Sequence, residues 1–290
     1  MEIKHLKLKK KMKHILFVLL CLSFGIAKAQ TDKQLLIYHT NDMHSRVEPF
    51  PKDYQDTLLA DLGGLVRRAS FIKQQRTENK DLLLFDCGDF SQGTPYYNLF
   101  RGEVEVKLMN HIGYDAGTIG NHEFDFGLEN MAALFRMAEF PIVCANYDFT
   151  GTVLEGLVKE YIVLERQGVR IGVFGLGAPL EGLVAKTNYG DTKFEDPLTE
   201  AQRITDILRD EEDCDVVVCL SHLGWNAEPY SDIRLIENTR RIDVVLGGHS
   251  HSYFDEPVYY KNLDGIDTPV QQMGKNAAFI GKIVINLQKE

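Results

Sequence analysis

The stretch LLIYHTND, residues 35–42, is an apolar strand candidate that runs directly into polar, metal-capable groups. The same pattern returns along the chain. DLLLFDCGD (81–89) is a second buried strand candidate and ends in the carboxylates Asp86 and Asp89. DAGTIGN leads into Asn121 and His122, CDVVVCLSH (214–222) ends at His222, and IDVVLGGHSH (242–251) ends at His249 and His251. Between these runs lie helical patterns. In GGLVRRASFIKQQRTEN, Leu65, Val66, Ala69 and Ile72 recur at helical spacing, and Leu128–Ala138 and Leu198–Asp210 read as further helices. YIVLERQGVRIGVFGLG reads as a hairpin turning at Gly168, and the tail (PVYYKN, TPVQQM, FIGKIVINL) as antiparallel strands. Strands alternating with helices and followed by a strand-rich tail predict a layered α/β domain with mixed sheets. Ligands of open α/β sheets bind at the carboxyl ends of the strands. Five strand ends that carry Asp, Asn and His therefore mark a site.

The 290 residues, 44% of them hydrophobic, suffice for one large domain. The N-terminus reads differently. Six lysines between Lys4 and Lys13 precede the apolar run Ile15–Phe24, and Ala27-Lys28-Ala29 follows it. Such a basic region, short apolar run and small-residue site predict a signal peptide over residues 1–29, with the domain over residues 30–290 and a secreted, periplasmic location. The run is too short to span a bilayer. Met12 starts a complete signal by itself, so either methionine can be the first residue. Leu20 is not the small residue a lipoprotein signal needs before Cys21. Cleavage after Ala29 removes seven lysines and one glutamate, which takes the formal charge from −10 to −16. So acidic a chain repels duplex nucleic acid, while small anionic substrates remain open to it. Cys87, Cys144, Cys214 and Cys219 match no zinc-knuckle spacing and read as buried small hydrophobes, with one disulfide allowed.

Taken singly, each polar strand end has a bland explanation as a turn or structural histidine. Jointly they do not. Alternation puts Asp42 with His44, and His249 with His251, on one side of an extended segment. In GNHEFDFG, residues 120–127, an amide, an imidazole and two carboxylates crowd one short turn. Asp, His and Asn donors suit borderline divalent metals such as Zn²⁺ or Mn²⁺. Seven such groups are too many for one tetrahedral ion and suit two ions with a shared carboxylate. Singly weaker are Arg46, close to His44; His39, read as structural; and His111, read as a helix-end residue.

These motifs, together with GGLVRR, DCGDFSQGTPYYNLFRGE, GYDAGTIGNHEFDFG and GGHSH followed by PVYYKNLDG, resemble the calcineurin-like metallophosphoesterases. More narrowly, they resemble the 5'-nucleotidase/UDP-sugar hydrolase family, from about Leu35 to Leu287. The resemblance implies two mixed β-sheets sandwiched between helices and two divalent metal ions. It implies a first metal held by Asp42, His44, Asp86 and His251, and a second sharing Asp86 with Asn121, His222 and His249. It implies His122 and Asp125 as a catalytic dyad; Asp125 capping the following helix is the plainer alternative, and Glu123 takes no catalytic role. Arg46, Tyr253 and Phe254 are candidate substrate contacts. The implied activity is hydrolysis of nucleotide phosphoester or pyrophosphate bonds, with cyclic-nucleotide 2',3'-phosphodiesterase, broad phosphatase and an inactive metal-binding assembly subunit as alternatives. Family members carry a second, C-terminal domain that holds the nucleoside base. This implies a separate chain as the possible source of that domain here.

Overall fold

The computed structural model describes residues 33–287, so the expected signal segment lies outside the described residues. In the strand Lys33–Thr40, side chains alternate between two apolar surroundings. Leu35 and Ile37 enter a core shared with Ile171, Val173, Val218 and Val244, whereas Tyr38 packs with Leu84, Ile72 and Met109 beneath helices. The same alternation divides Val216–Ser221: Val216, Val218 and Leu220 face the shared core, and Val217 and Cys219 face Ile204 and Leu208 on the helix Pro197–Asp210. Period-2 side-chain direction in strands that are apolar on both faces thus builds four layers, helices–sheet–sheet–helices.

The first sheet runs Gly281–Leu287, Lys33–Thr40, Leu83–Asp86, Ala116–Gly117. The second runs Val258–Lys261, Asp267–Gln271, Val244–Leu246, Val216–Ser221, Val169–Leu176, Tyr161–Arg166. Both are mixed, as expected. Inner neighbours are parallel, and the outer strands Gly281–Leu287, Val258–Lys261 and Tyr161–Arg166 pair antiparallel. The hairpin turns at Gln167 and Gly168, both left-handed. The expected helices are found at Leu65–Glu78, Gly127–Met137 and Pro197–Asp210.

Two features depart from the sequence reading. The run DAGTIGN contributes only Ala116–Gly117 as strand. The tail is not one antiparallel unit. Its last strand leaves the hairpin and pairs with Lys33–Thr40 in the opposite sheet, with Ile37 opposite Ile283. The four described cysteines are buried and free, so no disulfide joins them. Among the described residues, no helix is long and apolar enough to cross a membrane.

Candidate metal centre

Loops after five strand carboxyl ends build the site, and three of them are tied directly to one another. The first two are zipped together by backbone bonds, Asp42 N to Gly88 O and His44 N to Asp89 O at 3.0 Å each, and Ser45 N to Phe90 O at 2.9 Å. The third docks on the first, because His249 N donates to Asp42 Oδ2 at 2.9 Å. Asn41 ties the same aspartate down through Nδ2 at 2.6 Å, while its Oδ1 accepts from Met273 N. Five residues here hold left-handed backbone despite their side chains: Asp42 (φ 47°), His44 (47°), Asp89 (56°), His249 (73°) and His251 (56°). Each such conformation costs about 1–3 kcal/mol and persists only where surrounding bonds over-determine it. Strain gathered in these loops is the mark of a functional site.

The side chains converge in two groups. Asp42, His44 and His251 form one and Asp89, His222 and His249 the other; within each group the donor atoms lie within 4.8 Å of one another. In the first, His44 Nε2 stands 3.0 Å from His251 Nε2, and His251 Nε2 is 3.4 Å from Asp42 Oδ1. In the second, His222 Nε2 is 3.1 Å from Asp89 Oδ2, outside hydrogen-bonding geometry. His222 Nδ1 donates to Cys87 O at 2.6 Å, which presents Nε2 to the site. Asn121 Oδ1 is buried with no hydrogen-bond partner among the described residues. Burial lowers the pKa of His249 to about 4 and lowers that of His44, so both are neutral imidazoles, the form that ligates a metal. Burial opposes charge at His222 and Asp89 too, yet each draws the other into its charged form. Orphaned lone pairs, neutral imidazoles and a buried carboxylate in each group fit a pair of borderline divalent cations.

Asp86, the expected shared ligand, is not among these groups. It pairs in register with Thr40, is fully buried, and accepts from Thr40 Oγ1 at 2.6 Å and Gly88 N at 3.1 Å. Burial raises its pKa to about 8. The chain then turns through left-handed Gly88, and Asp89 is the carboxylate delivered to the site. A Cβ at Gly120 would land on that carboxylate.

His122 Nδ1 donates to Asp125 Oδ2 at 2.9 Å, and its ring lies 5.5 Å from that of His44. That hydrogen bond raises the His122 pKa. Asp125 does not cap the next helix, whose N-cap is Phe126 with no side-chain cap bond. Arg46 lays its guanidinium over the Phe50 ring at 4.0 Å, Tyr253 packs on Phe279 at 4.4 Å, and Phe254 stands edge-on to Trp225 at 5.0 Å. His39 is structural, buried against Gln271 Oε1 at 3.0 Å.

Glu123, given no role from sequence, is the peg of the centre. Its carboxylate accepts from Asp89 N (2.9 Å), Gly120 N (2.7 Å), Ser91 N (3.2 Å) and Ser91 Oγ (2.7 Å). Its place inside a ligand-rich turn was a usable signal, because an acid there must accept from the loops it joins. Glu123→Ala leaves three backbone donors without their acceptor, at about 1–3 kcal/mol each. A thermal melt of the metal-free protein should show that loss; a midpoint unchanged from wild type would remove the peg role.

The comparisons with known proteins agree with this geometry. The family described as calcineurin-like phosphoesterase matches residues 35–253. A protein of Treponema pallidum named probable 5'-nucleotidase is 34% identical over 224 residues, 76% of this chain and 37% of that protein. A 2',3'-cyclic-nucleotide 2'-phosphodiesterase/3'-nucleotidase of Haemophilus influenzae is 32% identical over 88% of this chain and 42% of its own length. Among solved structures, a 5'-nucleotidase precursor from Thermus thermophilus superposes with a TM-score of 0.79 at 31% identity, covering 88% of this chain and 51% of that one. The chain spans less than half the length of these two curated relatives. It belongs to the calcineurin-like phosphoesterase family.

Proposed function

We propose that this chain is a two-ion phosphohydrolase, 5'-nucleotidase-like, acting on nucleotide phosphoesters outside the cytoplasm. The observation that carries the reading is the convergence of Asp42, His44 and His251 beside Asp89, His222 and His249. The first three would hold one divalent ion. The second three would hold the other with Asn121, and Asp89 is assigned as the shared carboxylate. Two such ions, Zn²⁺, Mn²⁺ or similar, polarise a phosphoryl group and activate water when bound.

The protein's own residues do the rest. His122 stands beside the first group with its Nδ1 committed to Asp125, so Nε2 faces outward as the atom that gives a proton to the leaving oxygen. Asp125 orients the ring and favours its protonated form. Glu123 and the backbone zipper hold Asp89, Asn121 and His44 in place, so no reorganisation is needed when substrate arrives. Secretion rests on the signal-like residues 1–29.

A 2',3'-cyclic-nucleotide phosphodiesterase is the second reading, favoured by the Haemophilus relative. Base recognition is assigned to a further domain, supplied by a longer or a separate chain. The candidate stacking rings Tyr253 and Phe254 are already packed on Phe279 and Trp225. The test is phosphate release by residues 30–290 from AMP, GMP, CMP, UMP, UDP-sugars and cyclic nucleotides with Mn²⁺, Zn²⁺ and Co²⁺. Missing aromatic stacking weakens KM by about 5- to 150-fold per base contact, so the expected result is turnover with high KM and little base preference. Tight, base-selective hydrolysis by this chain alone would place the specificity pocket within it. No release from any of these esters would remove the phosphohydrolase reading.

A further inference from the structure

Asp232 is a fully buried carboxylate that the chemistry proposed above does not use. It opens the short helix Asp232–Asn238, directly after the N-cap Ser231. The amide dipoles of a helix start favour negative charge. Acids used for that purpose can remain near water, as Glu103 does beside Lys107 at the start of Glu103–Ile112. Enclosing a carboxylate is costly unless its oxygens are bonded, so the burial of Asp232 needs a further reason.

Both of its oxygens are engaged, each toward a different ligand loop. Ser221 Oγ donates to Oδ1 at 2.5 Å, and Ser221 directly precedes His222. Gln272 Nε2 donates to Oδ2 at 2.8 Å. The Oε1 of the same amide accepts from Ser250 Oγ at 2.8 Å, and Ser250 stands between His249 and His251. Ser221 and Gln272 are as fully buried as Asp232 itself. Two backbone groups close the ring: Asp232 N donates to Gly224 O at 2.7 Å, and Trp225 N donates to Ser250 Oγ at 3.0 Å. The loop after His222 and the loop that carries His249 thus meet at one carboxylate. Gly247 makes room for it, since a Cβ there would stand 2.4 Å from Asp232 Oδ2.

The geometry points to Asp232 as a positioning residue that acts through Ser221 on one side, and through Gln272 and Ser250 on the other, to hold His222 and His249 in register with Asp89. The inference rests on the two-ion reading and is specific to the second group of ligands. Positioning contacts behind metal ligands are worth about 10- to 100-fold in metal affinity.

The test uses the full chain and zinc alone. Two zinc dissociation constants are measured by chelator competition for wild type, Asp232→Leu, Asp232→Asn, Ser221→Ala and Gln272→Met, beside the melting midpoint of each metal-free protein. His222→Ala marks which constant belongs to the second group. Asp232→Leu is expected to weaken that constant by about 10- to 100-fold and leave the other unchanged. Ser221→Ala and Gln272→Met each cut one arm, should weaken the same constant by less, and carry the comparison should Asp232→Leu fail to fold. Asp232→Asn should recover most of the loss, because its amide oxygen still accepts from Gln272 and its NH₂ donates to the Ser221 hydroxyl. Lower midpoints with both zinc constants unchanged would overturn the inference in favour of a purely structural role. An Asp232→Asn variant as weak as Asp232→Leu would overturn it too, since the charge at the helix start and not the two bonds would then be responsible. A wild type that takes up fewer than two zinc ions fails earlier and separately, because it removes the two-ion reading itself.

Discussion

Asp89→Asn is expected to lower phosphate release by about three orders of magnitude, the effect of losing several kcal/mol of charge stabilisation at a shared ligand. Its side chain reaches His222 Nε2 within 3.1 Å, and its backbone lies on the zipper that joins the two ligand loops. The variant should retain no more than one of two metal equivalents by elemental analysis. Asp86→Asn is the control. Burial raises the Asp86 pKa to about 8, so near neutral pH its carboxyl is largely protonated and an amide imitates it in size and charge. That variant should keep both metals and cost about 1 kcal/mol through the bond from Thr40 Oγ1. The reverse outcome, metal lost from Asp86→Asn and kept by Asp89→Asn, would restore Asp86 as the shared ligand. The comparison isolates the carboxylate, since both substitutions leave chain length and side-chain volume unchanged.

His122→Ala should lower kcat by about 10²- to 10⁴-fold, the range for lost proton transfer, without changing metal content. His122 is absent from both ligand groups, and its Nδ1 is already engaged by Asp125. The size of the loss should depend on the leaving group. A nitrophenolate departs without a proton and should suffer least, whereas a ribose alkoxide needs one and should suffer most. Equal losses for both would strip His122 of its acid role and leave it as a fixed charge near the phosphoryl oxygens. Asp125→Asn should fall between wild type and His122→Ala. An amide at that position still accepts from Nδ1 but no longer favours the protonated ring, so the Asp125 contribution to the raised His122 pKa is lost.

The layered α/β fold and most of the residues that converge at the candidate site were legible in the sequence because both are local properties. Apolar runs bounded by polar residues report strands buried on both faces, and they did so for Lys33–Thr40, Val216–Ser221 and Val244–Leu246. Asp42, His44, Asn121, His222, His249 and His251 announced themselves by residue type at strand ends. The tertiary structure decided what residue type cannot. Asp86 and Asp89 are chemically identical and three positions apart; strand alternation turns the first toward Thr40, and the left-handed turn at Gly88 delivers the second to His222. Glu123 became the peg only once Asp89, Ser91 and Gly120 were brought around it from two loops. The last strand, Gly281–Leu287, has the same alternating pattern whichever sheet it joins. Its crossing to Lys33–Thr40 follows from which apolar face remained open in the assembled core, a property of the whole chain that no short window of sequence contains.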